Sequence, residues 1–159
     1  METLNIYYCK NLKHNFINKF KYSSLNKLPK LKKIVISFKS KTPNLKIIAI
    51  SLLAIEFIVN KKAKFTRTKN QNLTLKIKKG QLIGCKVFLT KKSIFLFLMN
   101  LILNILPVFI KNYRFLLLKN LKNNDTFSLI LKNIMLFLKL EKFYSIFNKI
   151  GQFNIIIIF

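Results

Sequence analysis

The side chains that most often carry out enzyme chemistry are few in this 159-residue chain and lie far apart. His14 is the only histidine, and Cys9 and Cys85 are the only cysteines. The acidic residues are scattered along the chain: Glu2, Glu56, Asp125 and Glu141. Acid–base catalysis needs paired carboxylates or a histidine beside an orienting group, and a zinc site needs several clustered ligands. The sequence therefore predicts no enzyme active site, no metal and no cofactor.

The local surroundings of the histidine and of the second cysteine also favour ordinary structural roles. His14 falls among lysines and asparagines of a predicted helix, which is typical of a surface residue. Cys85 follows Gly84 in an apolar stretch, where we expect a small buried thiol. The alternative is a nucleophile activated by a lysine, although no base lies nearby in the sequence. Two isolated cysteines form no disulfide framework, which favours a reducing compartment.

Lysine is the abundant reactive side chain, and its excess predicts a polyanionic partner. The chain has 30 Lys plus Arg against 4 Asp plus Glu, a formal net charge of +26. Only Arg67 and Arg114 are arginines, and the many Asn, Ile, Leu and Phe residues are typical of very AT-rich coding DNA. Codon bias does not explain the scarcity of acids, because Asp and Glu also have AT-rich codons. A compact domain so charged repels itself unless a polyanion neutralises it, so we expect nucleic acid first and an anionic membrane second.

The elements that must carry these lysines follow from hydrophobic periodicity. Apolar residues recur every fourth position from Asn5 to Phe20, which predicts an amphipathic helix. The β-branched run Ile34–Phe38 predicts a strand. The almost wholly apolar run Leu45–Val59 predicts a helix buried on most sides, with Pro43 suited to the first helical position. The run Phe153–Phe159 predicts a terminal strand.

The segment from Lys61 to Lys92 contains many basic residues and no acid. Alternation from Leu73 to Lys78 predicts a strand with apolar residues on one face and Thr74, Lys76 and Lys78 on the other. We expect this strand to pair with an earlier one around a polar loop, Thr68 to Asn72. Gly80 and Gly84 are then expected to bracket a turn.

An uncharged run from Ser93 to Ile110 supports a rival interpretation, because about 18 apolar residues can span a bilayer. The alternative function is therefore a small organellar membrane protein with spans at Leu45–Val59 and Ser93–Ile110. Two features argue against it: lysines lie at both ends of the second run, and one of its sides carries, at helical spacing, Asn100, Asn104, Pro107 and Lys111.

The central basic block resembles the signature of the family of large ribosomal subunit protein five, which binds 5S rRNA. The matching motifs are Thr66-Arg67-Thr68-Lys69, Lys76-Ile77-Lys78-Lys79-Gly80 and Ile83-Gly84-Cys85-Lys86-Val87. The family has a Thr-Lys-x-Lys-Lys loop, a Phe-Lys-Leu-Arg strand, a Gly and Ile-Gly-Cys-Lys-Val at the same spacing. Further landmarks are Tyr7-Tyr8, Leu28-Pro29-Lys30, Pro107, Tyr113-Arg114 and Gly151. The resemblance covers about residues 4 to 158.

This resemblance implies an α+β fold in one domain over residues 1–159, with an N-terminal helix region at 1–26 and sheet and helices at 27–159. The sheet would be antiparallel, with helices packed on one face and a long basic loop between central strands. The family's role would be structural: it joins 5S rRNA to the central protuberance of the large subunit and contacts the large-subunit rRNA. The implied partners are neighbouring large-subunit proteins, P-site tRNA and small-subunit protein thirteen, and no membrane span is expected.

The family's binding residues carry over to positions beside the first strand and around the basic loop. The implied rRNA contacts are Lys30, Lys32, Lys33, Ser37, Lys61, Lys62, Lys64, Lys76, Lys78, Lys86 and Phe88. The implied loop residues near tRNA are Arg67, Lys69, Asn70, Gln71 and Asn72. Ser37, Lys61 and Phe88 replace an Asn, a Gln and a Thr that face 5S rRNA in the family. Either lysine–phosphate contacts have replaced specific hydrogen bonds, or the 5S rRNA is divergent or absent.

Three other differences concern the ends and loops of the chain. Phe38 to Lys41 replaces a glycine-rich turn, and Lys122 to Asp125 replaces a glycine-rich loop. A shorter C-terminus than the family's affects the expected intersubunit contacts.

Because the resemblance begins near residue 4 and Met1–Lys10 is not an Arg-rich amphipathic segment, we expect no removable presequence. Together with the AT-rich composition, this predicts an organelle-encoded protein of the mitochondrial matrix, with the plastid stroma or the cytoplasm of a reduced bacterium as alternatives.

Overall fold

The computed structural model describes residues 7, 11–20, 28, 30–40, 43–108 and 126–159. Predictions that concern Cys9, Pro29, Tyr113, Arg114 and residues 122–125 lie outside the described residues.

The described chain is built on a five-stranded antiparallel sheet in the order β2-β3-β1-β5-β4. The strands are β1 (Lys33–Lys39), β2 (Lys64–Arg67), β3 (Leu82–Leu89), β4 (Thr126–Leu131) and β5 (Phe153–Ile158). The predicted strands Ile34–Phe38 and Phe153–Phe159 are confirmed as β1 and β5. The last strand is not at an edge, since it pairs with both β1 and β4. The predicted α+β fold with an antiparallel sheet is confirmed.

One face of the sheet forms the hydrophobic core. Alternate residues of β1, namely Ile34, Ile36 and Phe38, are buried, as the period of two along a strand requires. Buried residues of the other strands on the same face are Cys85, Val87, Leu89, Leu129, Leu131, Phe153, Ile155 and Ile157. Apolar residues of the helices between residues 45 and 147 complete the same cluster, so these helices cover this face. We call the opposite face of the sheet the open face.

Helix α2 spans Leu45–Val59, the bounds that the apolar run predicts. Asn44 is its N-cap, because the Asn44 side chain accepts a hydrogen bond from the Lys46 N–H at 3.1 Å. The prediction that Pro43 holds the first helical position is therefore wrong, since Pro43 precedes the cap. The helix ends at Asn60, which adopts a left-handed conformation with φ 55°.

The other helices are α1 (Lys13–Phe20), α3 (Lys92–Asn100), α4 (Leu138–Glu141) and α5 (Tyr144–Phe147). The predicted helix Asn5–Phe20 is confirmed over Lys13–Phe20. Helix α3 continues into a π-helical turn, Leu101–Ile105. The side-chain amide of Asn104 donates a hydrogen bond to the side-chain oxygen of Asn100 at 2.7 Å. In the described part of the chain no helix is long and apolar enough to cross a membrane.

Cys85 and His14, the two side chains considered above for chemistry, lie in surroundings typical of residues with a structural role. Cys85 is fully buried, with its Sγ 3.5 Å from the Ser51 hydroxyl, and burial raises the pKa of its thiol despite the opposing effect of that hydrogen bond. The thiol therefore stays protonated, and the expected buried thiol is confirmed. His14 is exposed on α1, as expected. Within the described ranges, no three His, Cys, Asp or Glu side chains cluster to hold a metal ion.

Candidate nucleic-acid interface

The open face of the sheet presents two parallel rows of side chains. They arise because residues directly opposite each other on antiparallel strands project to the same side. The first row, which we call the polar row, crosses all five strands: Lys64, Lys86, Ser37 and Asn154 are followed by Ile130 on the edge strand β4. The second, which we call the apolar row, crosses four strands: Phe88, Val35 and Ile156 are followed by Ser128 on β4.

Two lysines meet at one end of the polar row. Lys64 of β2 lies directly opposite Lys86 of β3, and Lys86 is in turn opposite Ser37 of β1. Like charges in direct cross-strand pairs repel each other. The acidic residues of the described ranges, Glu56 and Glu141, belong to helices α2 and α4 on the other side of the sheet. An anion bound at this end of the open face would therefore relieve the repulsion.

The connection between β2 and β3 corrects the prediction of a strand from Leu73 to Lys78. A bridge between Asn72 and Ile77 closes a tight turn instead, in which Lys76 has φ 51°. Leu73 and Leu75 are 83% and 50% exposed, and only Ile77, 4% exposed, is buried. Alternation in the sequence was misleading because the Asn72 side chain hydrogen-bonds the Leu75 N–H and stabilises the turn.

The base of this loop, residues 68–81, is joined by hydrogen bonds across its two arms. The Thr68 hydroxyl donates to the Lys78 carbonyl at 2.6 Å, and the Thr68 N–H donates to the Gln81 carbonyl at 3.0 Å. Within the second arm, the Lys78 N–H donates to the Gln81 side chain at 3.0 Å. Gly80 turns the chain with φ 80°. Gly84, by contrast, lies inside β3, so the prediction that it helps to bracket a turn is wrong.

A cleft of about 720 Å³ separates the loop from the open face. Its lining includes Ser37 of β1, Asn154 of β5 and Gln152, which directly precedes β5, and none of the described residues that line it is acidic. The predicted loop residues also line it: Arg67, Lys69, Asn70, Gln71 and Asn72. The cleft thus unites Ser37, predicted for rRNA, with the residues predicted for tRNA. The Oδ1 of Asn154, a residue of this lining, is buried and has no hydrogen-bond partner among the described residues.

The remaining predicted residues lie around this face or away from it. Lys30, Lys32 and Lys33 are exposed before and at the start of β1, and Lys76 and Lys78 are exposed on the loop. Lys62 is exposed between α2 and β2. Lys61 differs from the others, because its ammonium donates to the Ser93 hydroxyl at the start of α3, at 2.9 Å. The structure therefore brings together Ser37, Lys64, Lys86 and Phe88, but directs Lys61 toward the helices.

Sequence reasoning missed Gln152 and Asn154 in this site. Asn154 interrupts an otherwise apolar strand, Phe153–Ile158, and an amide within such a run was the available signal. Its register opposite Ser37 shows why it matters, because the pair places two hydrogen-bonding side chains side by side on the open face.

Replacing Ile77 with alanine is expected to release the loop from the sheet. Removing a buried Ile side chain costs about 2 kcal/mol or more, which corresponds to an increase of about 30-fold in the population of the open loop. Amide hydrogen exchange across residues 68–81 measures this change. Leu75→Ala is the matched control, since the exposed Leu75 side chain contributes little. Equal acceleration in both variants would show that Ile77 is not the anchor.

Comparison with known proteins adds evidence that is independent of this geometry. No family model matches the chain. The large ribosomal subunit protein uL5m of Reclinomonas americana is 29% identical over 160 residues, which cover 99% of this chain and 87% of that protein. The uL5 protein of Malacoplasma penetrans is 30% identical over 95% of this chain and 80% of its own length. That of Mycoplasma pneumoniae is 31% identical over 86% and 77%, respectively. The similarity thus extends well beyond the central block.

Proposed function

The chain belongs to the family of large ribosomal subunit protein uL5, and from this membership we propose that its open sheet face binds ribosomal RNA. Proteins of this family are structural constituents of the large ribosomal subunit and not enzymes. Their general partners are rRNA and neighbouring ribosomal proteins. The role of this chain is therefore to hold RNA in a defined position.

The observation that carries the proposal is that, within the described ranges, the open face of the sheet carries positive charge only. Lysines of three neighbouring strands, Lys33, Lys64 and Lys86, lie on the open face, whereas Glu56 and Glu141 lie in the helical layer. Phosphate oxygens accept hydrogen bonds from ammonium groups and neutralise their charge. A rigid sheet with such a face positions a folded RNA through its backbone, as an A-form helix requires.

The finer assignment concerns which RNA and protein partners the site contacts. We assign the open face to 5S rRNA and large-subunit rRNA at the central protuberance, and the loop at residues 68–81 to P-site tRNA. Exposed Lys69 and Asn70 on the first arm of the loop support the tRNA assignment, because both can reach a phosphate backbone. Small-subunit protein thirteen is the proposed partner across the subunit interface.

A mitochondrial ribosome is the proposed location. The AT-rich composition and the similarity to a uL5m protein support it. Similarity to the proteins of two mycoplasma-like bacteria leaves a reduced bacterium as the alternative, with a plastid next.

Sedimentation of ribosomes from the organelle or cell that makes this protein tests the proposal. The protein is expected to migrate with large subunits after magnesium removal separates the subunits. Ribonuclease treatment should release it. A K64E/K86E variant is expected to shift to the top of the gradient, whereas K46E/K139E, with the same charge change on exposed residues of α2 and α4, should remain with the subunit. Wild-type protein in the carbonate-resistant membrane pellet would contradict the proposal.

A further inference from the structure

Phe88 is an exposed aromatic side chain on the cationic open face. Its ring is 43% exposed. Val35 lies directly opposite it on β1, and Ile156 lies opposite Val35 on β5. Both neighbours are half-buried. The apolar row therefore forms a continuous strip over three strands, with a flat aromatic ring at one end.

Ammonium groups surround this strip. The Lys86 Nζ lies 5.2 Å from the centroid of the Phe88 ring, a distance at which a cation is attracted to the ring face. Lys64 lies opposite Lys86, and Lys33 lies two residues before Val35 on the same face of β1. A protein partner that covered the strip with apolar side chains would have to desolvate these charges. A nucleic acid complements both features, because its planar bases can cover the apolar strip while its phosphates pair with the lysines.

The state of the RNA follows from the geometry of stacking. A base within a double helix has neighbours on both of its faces and offers none to a protein ring. An unpaired base in a loop or bulge can leave the stack and lie on an aromatic side chain. Duplex RNA would therefore meet this face through the lysines alone, and only unpaired RNA would use the ring.

We propose that Phe88, supported by Val35 and Ile156, is a stacking platform for one unpaired base of the bound RNA, with Lys86 and Lys33 positioned for the adjoining phosphates. This inference rests on the proposed function, since it names the kind of RNA that the open face selects. It assigns to Phe88 a preference for single-stranded or bulged nucleotides that the lysines do not provide. Removing the aromatic face is expected to weaken binding of such RNA by about 10- to 100-fold.

Fluorescence provides a direct test because the chain contains no tryptophan. The F88W variant carries one fluorophore at the platform. Its emission is expected to be quenched by an RNA hairpin with a single bulged adenosine and to change little with the same hairpin fully paired. F65W is the matched control: Phe65 is 50% exposed, but it pairs with buried Cys85 and so belongs to the opposite face of the sheet. Its emission should respond to neither hairpin.

Affinity measurements with the same hairpins separate the two proposals. F88L is expected to lose affinity for the bulged hairpin only, and F88Y to retain it. If the wild-type protein binds both hairpins equally and F88W is not quenched, the platform is wrong but the RNA-binding face stands. If wild-type protein binds neither hairpin at about 50 mM salt, the proposed function fails first. Quenching by ribosomal proteins and not by RNA would assign the strip to a protein partner and overturn the inference.

Discussion

Raising the salt concentration from about 50 to 200 mM is expected to weaken the binding of this protein to rRNA by about 10³- to 10⁵-fold. An effect of this size requires about six to ten lysine–phosphate contacts, each of which releases condensed counterions from the RNA. The open face, the loop and the segments beside β1 and β2 offer enough candidates. They are the half-buried Lys86 and the exposed Lys30, Lys32, Lys33, Lys62, Lys64, Lys69, Lys76 and Lys78. Fluorescence anisotropy with labelled rRNA over a series of salt concentrations measures the effect.

Charge-removing variants locate the contacts responsible for that dependence. K64Q/K86Q is expected to reduce the slope of log affinity against log salt by about 1.4 to 1.8, because each of the two lost phosphate contacts contributes about 0.7 to 0.9. K46Q/K139Q, altered at exposed sites of the helical layer, should leave the slope unchanged. Binding that does not vary with salt would contradict the electrostatic account altogether.

Misfolding is not the expected cause of any loss in K64Q/K86Q. Lys64 and Lys86 lie directly opposite each other, and such like-charge pairs destabilise a sheet by a few tenths of a kcal/mol to about 1 kcal/mol. Neutralising them should leave the free energy of unfolding of the free protein unchanged or slightly higher. The same residues thus oppose folding and favour binding, which is typical of a site shaped by its ligand.

Replacing Gly84 with alanine is expected to destabilise the folded protein by about 3 kcal/mol. A Cβ built on Gly84 points directly at the carbonyl oxygen of Phe38 on the neighbouring strand. That oxygen belongs to the backbone of β1 and cannot rotate away, so the pairing of β1 with β3 must distort. This loss is a large fraction of the about 5 to 15 kcal/mol that stabilises a typical domain. Urea unfolding followed by circular dichroism measures it.

Gly151→Ala is the control for this prediction, because it adds a methyl group beside the same phenylalanine. The new Cβ would lie 3.6 Å from the Phe38 ring, an ordinary van der Waals distance. We expect a change within about 1 kcal/mol. If the two variants unfold at the same urea concentration, the close approach of β3 to Phe38 does not limit residue size at position 84. Distortion there would also displace Lys86 and Phe88, which follow on the same face of β3.

Local periodicity in the sequence was sufficient for the elements that are apolar throughout or alternate regularly. The run Leu45–Val59 predicts α2 to the residue, and the β-branched runs predict β1 and β5. These elements depend on the conformational preferences of neighbouring residues and on which residues are buried, so their hydrophobic periodicity can be read along the sequence. The scarcity of acids likewise predicted a cationic protein, because net charge is a property of composition.

The loop and the turn residues show where local patterns were insufficient. Leu73 to Lys78 alternates like a strand, yet no neighbouring strand pairs with its backbone, and the Asn72 turn is formed instead. A strand needs a partner at the correct register, and the alternation of side chains does not supply one. Gly84 looked like a turn residue, although its small size serves the close packing of two strands.

Residue types and spacing alone determined that this chain combines apolar helices and strands with a strongly basic composition, and that its few candidate catalytic side chains lie far apart in sequence. Only the tertiary structure decided which of its polar side chains act together. Cross-strand register placed Ser37 beside Asn154, Lys64 beside Lys86, and Phe88 next to Val35 and Ile156. The 68–81 loop lies across the cleft from Ser37 and Asn154. These neighbours are far apart in sequence, and they meet because strand pairing joins distant segments at distances that no local pattern records.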